Sequence, residues 1–402
     1  MRLRKLVGTL ATVATVAAGL VLPQGAPRAQ EQSTISLQGL KLSQPSAEQE
    51  SALKVLPENL RPYYLGYWLF STLDPNPYSN WTPPKAPWKF CYNDSFQGNS
   101  WRQAALAKYR ALFADLQKQG MTKGDLVVTN SNNDINVQLA QLNNLVREGC
   151  DVILSIPSSP TGLCSGLKEA HAKGVLVVTV ESEVSCPEAV NVGFNEYYVA
   201  AKTAKWVADA VERKGNLFLV NGIPGLGPTV ARHQAALDVL GNYPDIKVLG
   251  EVEGQWTPST AKTNTLKFLS THPQPIAGVV DSGLAAVAVS QAFEQFGRPL
   301  PKINGFVGEC SYLAYVKDKK LDVFSTSQSG GAALWTGFDV ALRMLKGEKP
   351  VASTLLMPLP EITPANFDQW YKPTMTVQDA CFAESPSGRR VSESFLDQYF
   401  TK

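Results

Sequence analysis

Asn99, Trp101 and Arg102 crowd the start of one helix, and that combination suits binding more than turnover. An indole offers a flat apolar face for stacking, while an amide and a guanidinium offer paired hydrogen bonds to oxygen-rich edges. Ser100 between them is expected to cap the helix. Other polar or aromatic side chains recur just after apolar runs. Glu181 follows residues 175–180, Trp256 follows 248–252, Asp281 ends 276–281, Glu309 follows 303–307 and Gln328 follows 322–327. Arg232 stands in a helix that begins beyond the glycine-rich run from Gly222 to Gly227. These donors, acceptors and rings could enclose a small ligand with hydroxyl edges and apolar faces.

No catalytic set accompanies them. There is no GxSxG elbow, and His171, His233 and His272 stand in unrelated contexts, so no nucleophile and base are paired by spacing. The glycine-rich run reads GxxGxG, which is neither the dinucleotide fingerprint nor the phosphate loop. It is expected to permit a close approach of backbone instead. Scarce histidine and no CxxC pair argue against a metal site. The chain is expected to be no enzyme and to need no cofactor.

What must hold these residues is a repeated unit of strand, polar loop and helix. Residues 88–93, 126–129, 151–156, 175–180 and 190–194 read as strands, with helical apolar spacing between them. One helix sets Ala105, Tyr109, Leu112 and Leu116 on one face, and another sets Ile135, Leu139, Leu142 and Val146. A second round follows, with strands at 216–220, 248–252, 276–281, 303–307 and 322–327. Solid apolar runs separated by helices are strands of parallel sheets, buried on both faces. Ligands of such sheets sit beyond the carboxyl ends of the strands, which is where the residues above lie. The expected fold is therefore α/β, with two doubly wound parallel-sheet lobes.

The chain's 402 residues are too many for one ordinary core and suit two domains of roughly 130–170 residues each. A net charge of +2 and no long basic run give no field that would draw it to nucleic acid. Arg2, Arg4 and Lys5 precede an apolar stretch over 6–22 and then a polar segment, the pattern of a secretory signal cleaved after Ala29. In an exported chain six cysteines permit disulfides. Cys164 with Cys186 is the favoured pair and Cys310 with Cys381 the second. Cys91 and Cys150, in or beside strand runs, read as buried thiols. The expected division is a signal over 1–29, an aromatic and proline-rich extension over 30–87, a first lobe of 88–194 with 329–352, and a second lobe of 195–328 with 353–402. The extension is expected to be ordered and wrapped over a domain surface.

Over residues 88–349 the chain resembles the type I periplasmic substrate-binding proteins of the ribose-binding-like class. The resemblance rests on Gly98-Asn-Ser-Trp-Arg102, Asn130-Ser-Asn-Asn-Asp134, the run 141–153 with Gly149-Cys-Asp-Val-Ile153, Gly174-Val-Leu-Val-Val178, residues 225–232, Asp281-Ser-Gly283, Gly305-Phe-Val-Gly-Glu309 and Gln328. It implies two lobes joined by a multi-segment hinge that close on a monosaccharide, delivery to the membrane permease of an ABC importer, a monomer, and a periplasmic location. It also implies that Asn99 and Trp101 hold the sugar from the first lobe. Arg232 and Gln328 match the second-lobe arginine and hinge-region glutamine, Asp281 the Asn-Asp pair, and Glu309 the Gly-Phe-Asp acid. One departure stands out: the family has Asp-Arg after the fourth strand, where this chain has Glu181-Ser182, and Arg102 is the expected substitute for the missing guanidinium. A chemosensory receptor for a sugar-like signal is the alternative on the same fold. Sugar repressors share it as well, but they begin with a helix-turn-helix where this chain has its signal pattern.

Overall fold

The computed structural model describes residues 35–64 and 73–401. The expected signal at 1–29, and Tyr67 and Trp68 of the extension, lie outside the described residues. Within them no helix is long and apolar enough to cross a membrane.

Strands appear at the expected apolar runs, although those at 303–307 and 322–327 are reduced to two residues each, and three short strands of the C-terminal part were not expected. In chain order they are β1 (Phe90–Asp94), β2 (Val127–Asn130), β3 (Val152–Ile156), β4 (Leu176–Val180), β5 (Val190–Gly193), β6 (Gly215–Asn221), β7 (Ile246–Glu253), β8 (Gly278–Asp281), β9 (Lys302–Ile303), β10 (Ser325–Thr326), β11 (Lys349–Pro350), β12 (Thr354–Leu356), β13 (Glu361–Ile362) and β14 (Phe400–Thr401). The first lobe is a six-stranded sheet in the order β12-β5-β4-β3-β1-β2, every pair parallel. The second is a four-stranded parallel sheet, β7-β6-β8-β9. Strands β1, β3, β4 and β5 are buried at every position, as a sheet covered by helices on both faces requires. These are the two parallel-sheet lobes of the expected fold.

The tail after residue 352 departs from the expected division. β12 pairs in parallel with β5, in the first-lobe sheet. The chain then crosses to the second lobe, where β13 pairs with β10 and Cys381 is bonded to Cys310. It crosses back, and β14 pairs with β11 at the end of the first-lobe helix Gly330–Leu345. The physical cause is edge pairing: β5 would be an open edge of the first sheet, and β12 supplies its missing hydrogen-bond partners. From β1 onward the described chain thus crosses between the lobes at four places: after β5, after β10, after β12 and near Ala383. These segments brace one another. Ser327 donates from its backbone to Pro360 O at 2.9 Å and from its hydroxyl to Ala383 O at 2.8 Å.

The cysteine expectation needs one correction. Cys164–Cys186 and Cys310–Cys381 form, but Cys91 and Cys150 are also bonded to each other and are not free thiols. β1 and β3 are neighbours, so Cys91 in β1 and Cys150 at the entry to β3 come within 6.1 Å between Cα atoms.

The extension packs on both lobes. Ser43 donates from its hydroxyl and its backbone N–H to Asp238 Oδ2, at 2.6 and 3.0 Å, on the second lobe. Tyr64 bonds Thr354 O and accepts from Leu356 N at the first-lobe edge, and Tyr78 does the same with Val175 O and Val177 N. Leu56, Leu60, Tyr64 and Tyr78 are buried, which accounts for the apolar and aromatic residues in a segment whose regular structure is limited to a short helix at Ala47–Ala52 and single turns at Leu53–Val55 and Arg61–Tyr64.

Candidate functional site

The first turn of helix Ser100–Lys118 builds one wall of a cleft. Asn99, not Ser100, is its cap: Asn99 Oδ1 accepts from Arg102 N at 2.9 Å. That leaves Asn99 Nδ2 to reach across to Trp256 O on the second lobe at 3.4 Å. Arg102 turns back to Asp94 at the end of β1, Nη1 to Oδ1 at 2.5 Å, with both side chains buried. Burial pushes the Asp94 carboxyl up, and Arg102 pulls the other way. Trp101 spends its indole N–H on Gln328 O, at 2.9 Å, so its ring is pinned beside the segment that enters the hinge helix.

Glu181 follows β4 in left-handed backbone at φ 59°, which aims its side chain along the cleft. Gln328 Nε2 donates to Glu181 Oε2 at 2.8 Å, and Arg390 from the C-terminal tail donates to Oε1. On the facing lobe Arg232 grips Glu196, Nε to Oε2 at 2.7 Å and Nη2 to Oε1 at 3.1 Å, and donates from Nη1 to Ser282 O at 2.6 Å. Its guanidinium lies between the rings of Phe306, 3.9 Å from the centroid, and Trp256, 5.3 Å away. Burial raises the Glu196 carboxyl to about 7 even though Arg232 lowers it. Trp256 donates its indole N–H to Ser282 Oγ at 3.0 Å.

Between these walls lies a cavity with about 430 Å³ of empty space, the solvent at its mouth included. Asn99, Trp101, Arg102, Glu181, Arg232, Trp256 and Gln328, all expected from sequence as ligand contacts, line it. Asp281 and Glu309 do not. The Asp281 carboxylate turns inward and accepts from Gly283 N at 3.0 Å and Ala285 N at 3.2 Å. Glu309 is buried at the start of helix Cys310–Lys319, next to the Cys310–Cys381 bond. The residues those loops present to the cavity are Leu284 and Val307. The second-lobe wall sets the apolar Pro228, Trp256, Leu284 and Val307 around the Arg232–Glu196 pair, while the first-lobe side supplies Asn99, Arg102, Glu181 and Gln328. Sequence reasoning missed Glu196, Leu284, Val307 and the pairing of Arg390. Glu181, Trp256 and Leu284 share left-handed backbone, which carries no signal in non-glycine residues.

Glu309 gives a stability prediction. Burial, reinforced by the nearby Asp281 charge, raises its carboxyl to about 8. The unfolded chain ionises it near 4.5, so folding takes up a proton between those values. Its contribution therefore weakens as pH rises from about 4.5 to 8. Glu309→Gln removes this penalty. At pH 8 the variant should be more stable than the parent by on the order of a few kcal/mol, with the gap closing by pH 5. Urea melts at both pH values check it, and a gap that ignores pH would refute it.

Residues 95–349 match the family described as a periplasmic binding protein domain. The chain is 31% identical over 250 residues to a xylitol-binding protein of Mycolicibacterium smegmatis, covering 61% of this chain and 70% of that one. It is 27% identical over 243 residues to the D-xylose-binding periplasmic protein of Escherichia coli, covering 57% and 71%. A crystal structure of an ABC transporter solute binding protein from Thermobispora bispora superposes with a TM-score of 0.67 at 27% identity, over 72% of this chain and 90% of that one. One from Actinobacillus succinogenes with bound D-allose shares the fold, with a TM-score of 0.61 at 19% identity over 70% and 99%. With more than half of its length matched and both lobes built around one shared cleft, the chain belongs to the periplasmic binding protein family.

Proposed function

We propose that this protein captures a monosaccharide or a closely related polyol between its lobes, outside the inner membrane, and delivers it to the permease of an ABC importer without chemical change to the ligand. The observation that supports this best is the set of three buried guanidinium–carboxylate pairs around one cavity: Arg102 with Asp94, Arg390 with Glu181, and Arg232 with Glu196. Each pair neutralises itself, so the cavity needs no charged ligand. Each also keeps spare capacity, because a carboxylate has about four acceptor positions and a guanidinium five N–H donors. Gln328 Oε1, on the cavity wall, is buried with no hydrogen-bond partner among the described residues. Leaving such a group unpaired costs about 1–3 kcal/mol, a debt that a ligand hydroxyl can remove. Trp101 and Trp256 supply rings for the apolar faces of the same ligand. The relatives named above are themselves called xylitol- and xylose-binding, and a bound sugar occupies a structure of the same fold.

A thermal-shift screen of pentoses, hexoses and their polyols on the protein tests this. A true ligand at about 100 times its dissociation constant should add about 2.7 kcal/mol of stability. Trp101→Ala should erase the shift. No response to any sugar or polyol, with a clear response to a charged amino acid, would overturn the assignment.

A further inference from the structure

The C-terminal tail lies beyond the segment that matches the family, yet it reaches the cavity wall. It is docked there by contacts that do not involve Arg390. Ser329 Oγ donates to Glu384 Oε1, and Arg389 pairs with Asp339 and covers the Trp335 ring at 4.6 Å. Tyr399 donates to Leu356 O at 2.5 Å, and Ser385 Oγ braces the tail internally by donating to Arg389 O at 2.7 Å. Arg390 sits in the middle of this docked segment. Its side chain is 0% exposed, its Nη1 bonds Glu181 Oε1, and its Nε and Nη2 have no hydrogen-bond partner among the described residues. A buried guanidinium with unused donors, tied to a carboxylate that lines the cavity, is more than the docking of the tail requires.

We propose that Arg390 is a specificity-determining positioning residue of the ligand site. Ser182, which follows the acid in sequence, offers no guanidinium, and Arg390 brings one to Glu181 from the tail. Together with Gln328 it clamps both oxygens of Glu181, one on each partner. The carboxylate is then fixed against the left-handed backbone that bears it, and its remaining lone pairs face the cavity in one orientation. A ligand must place a donating hydroxyl there. Arg102 does not fill this role, since its guanidinium is engaged with Asp94. The inference rests on the reading of the cavity as a sugar or polyol site.

The test is calorimetric binding of the best sugar from the screen and of its monodeoxy analogues to the parent protein, Arg390→Gln and Arg390→Lys. In Arg390→Gln the parent sugar should lose roughly 10–100-fold in affinity, the range expected for a hydrogen bond to a charged group. One analogue, the one lacking the hydroxyl that meets Glu181, should lose less than about threefold on the same scale, because the contact is already gone. Arg390→Lys keeps the charge without the planar fork and should recover part of the discrimination; it also serves if Arg390→Gln fails to fold. Equal losses across every analogue in the variants would show a purely structural role and overturn the inference. Failure of the parent protein to bind any sugar or polyol would overturn the reading of the cavity and the inference together.

Discussion

Arg232→Met should abolish ligand binding and destabilise the protein by about 3–5 kcal/mol, the cost of breaking a buried ion pair from one side. Arg232 holds Glu196 through two hydrogen bonds and holds the Ser282 carbonyl through a third. Its removal leaves Glu196 buried without its ion-pair partner, with only the weaker influence of Arg390, and leaves Trp256 and Phe306 facing a gap. The loss should depend on pH. The Glu196 carboxyl already sits at about 7 with Arg232 present. Without the arginine it rises further, so the folded variant takes up a proton that the unfolded chain releases above its ordinary carboxylate value. That penalty grows with pH, so the variant should suffer more at pH 8 than at pH 5.5. Arg232→Met combined with Glu196→Gln should regain much of the stability and none of the binding. Urea melts at the two pH values and calorimetry on both variants decide it. A double variant that still bound the ligand would remove Arg232 from the site.

The same pair shows what the sequence can and cannot disclose. Arg232 was legible because helices after parallel strands start at the ligand-facing edge of the sheet. Glu196 was not, because nothing in its local pattern says that the neighbouring helix of the same lobe will turn its arginine toward it. Its partner is 36 positions distant, and Arg390 is 209 positions from Glu181. The strands were legible because a parallel strand buried on both faces is a solid apolar run, and such runs survive in one sequence without context. The exact side chains facing the cavity depend on a finer feature, the turn after each strand. Glu181, Trp256 and Leu284 turn in left-handed backbone, at φ 59°, 48° and 61°. A glycine or asparagine would have announced such a turn; these residues do not. At these strand ends Leu284 and Val307 face the ligand space while Asp281 and Glu309, the chemically more conspicuous neighbours, are turned into the lobe.

Tight packing at the hinge helix should make Gly330→Ala damaging to both stability and binding. A methyl at Gly330 would stand 2.0 Å from the Trp101 carbonyl oxygen and 3.0 Å from its carbonyl carbon. The obstacle is backbone, so no side-chain rotation can relieve it. Helix Gly330–Leu345 must then move away from helix Ser100–Lys118, whose first turn it meets. Alanine improves helix propensity by up to about 1 kcal/mol, but overpacking against rigid backbone costs about 1–3 kcal/mol or more and wins. The displacement has a second effect, because the two helices bear the cavity. Trp101 and Gln328 are tied to each other at 2.9 Å across this contact, and Gln328 in turn holds Glu181. A shift near 1 Å exceeds the roughly 0.5 Å tolerance of a preorganised site. Gly330→Ala should therefore lower the melting temperature and also weaken ligand affinity by tenfold or more, about 1.4 kcal/mol. The two losses should appear together, since one displacement causes both. Thermal melts paired with calorimetry test this. A variant with the parent's melting temperature and the parent's affinity would show that the helices approach each other less closely than the Gly330–Trp101 contact requires.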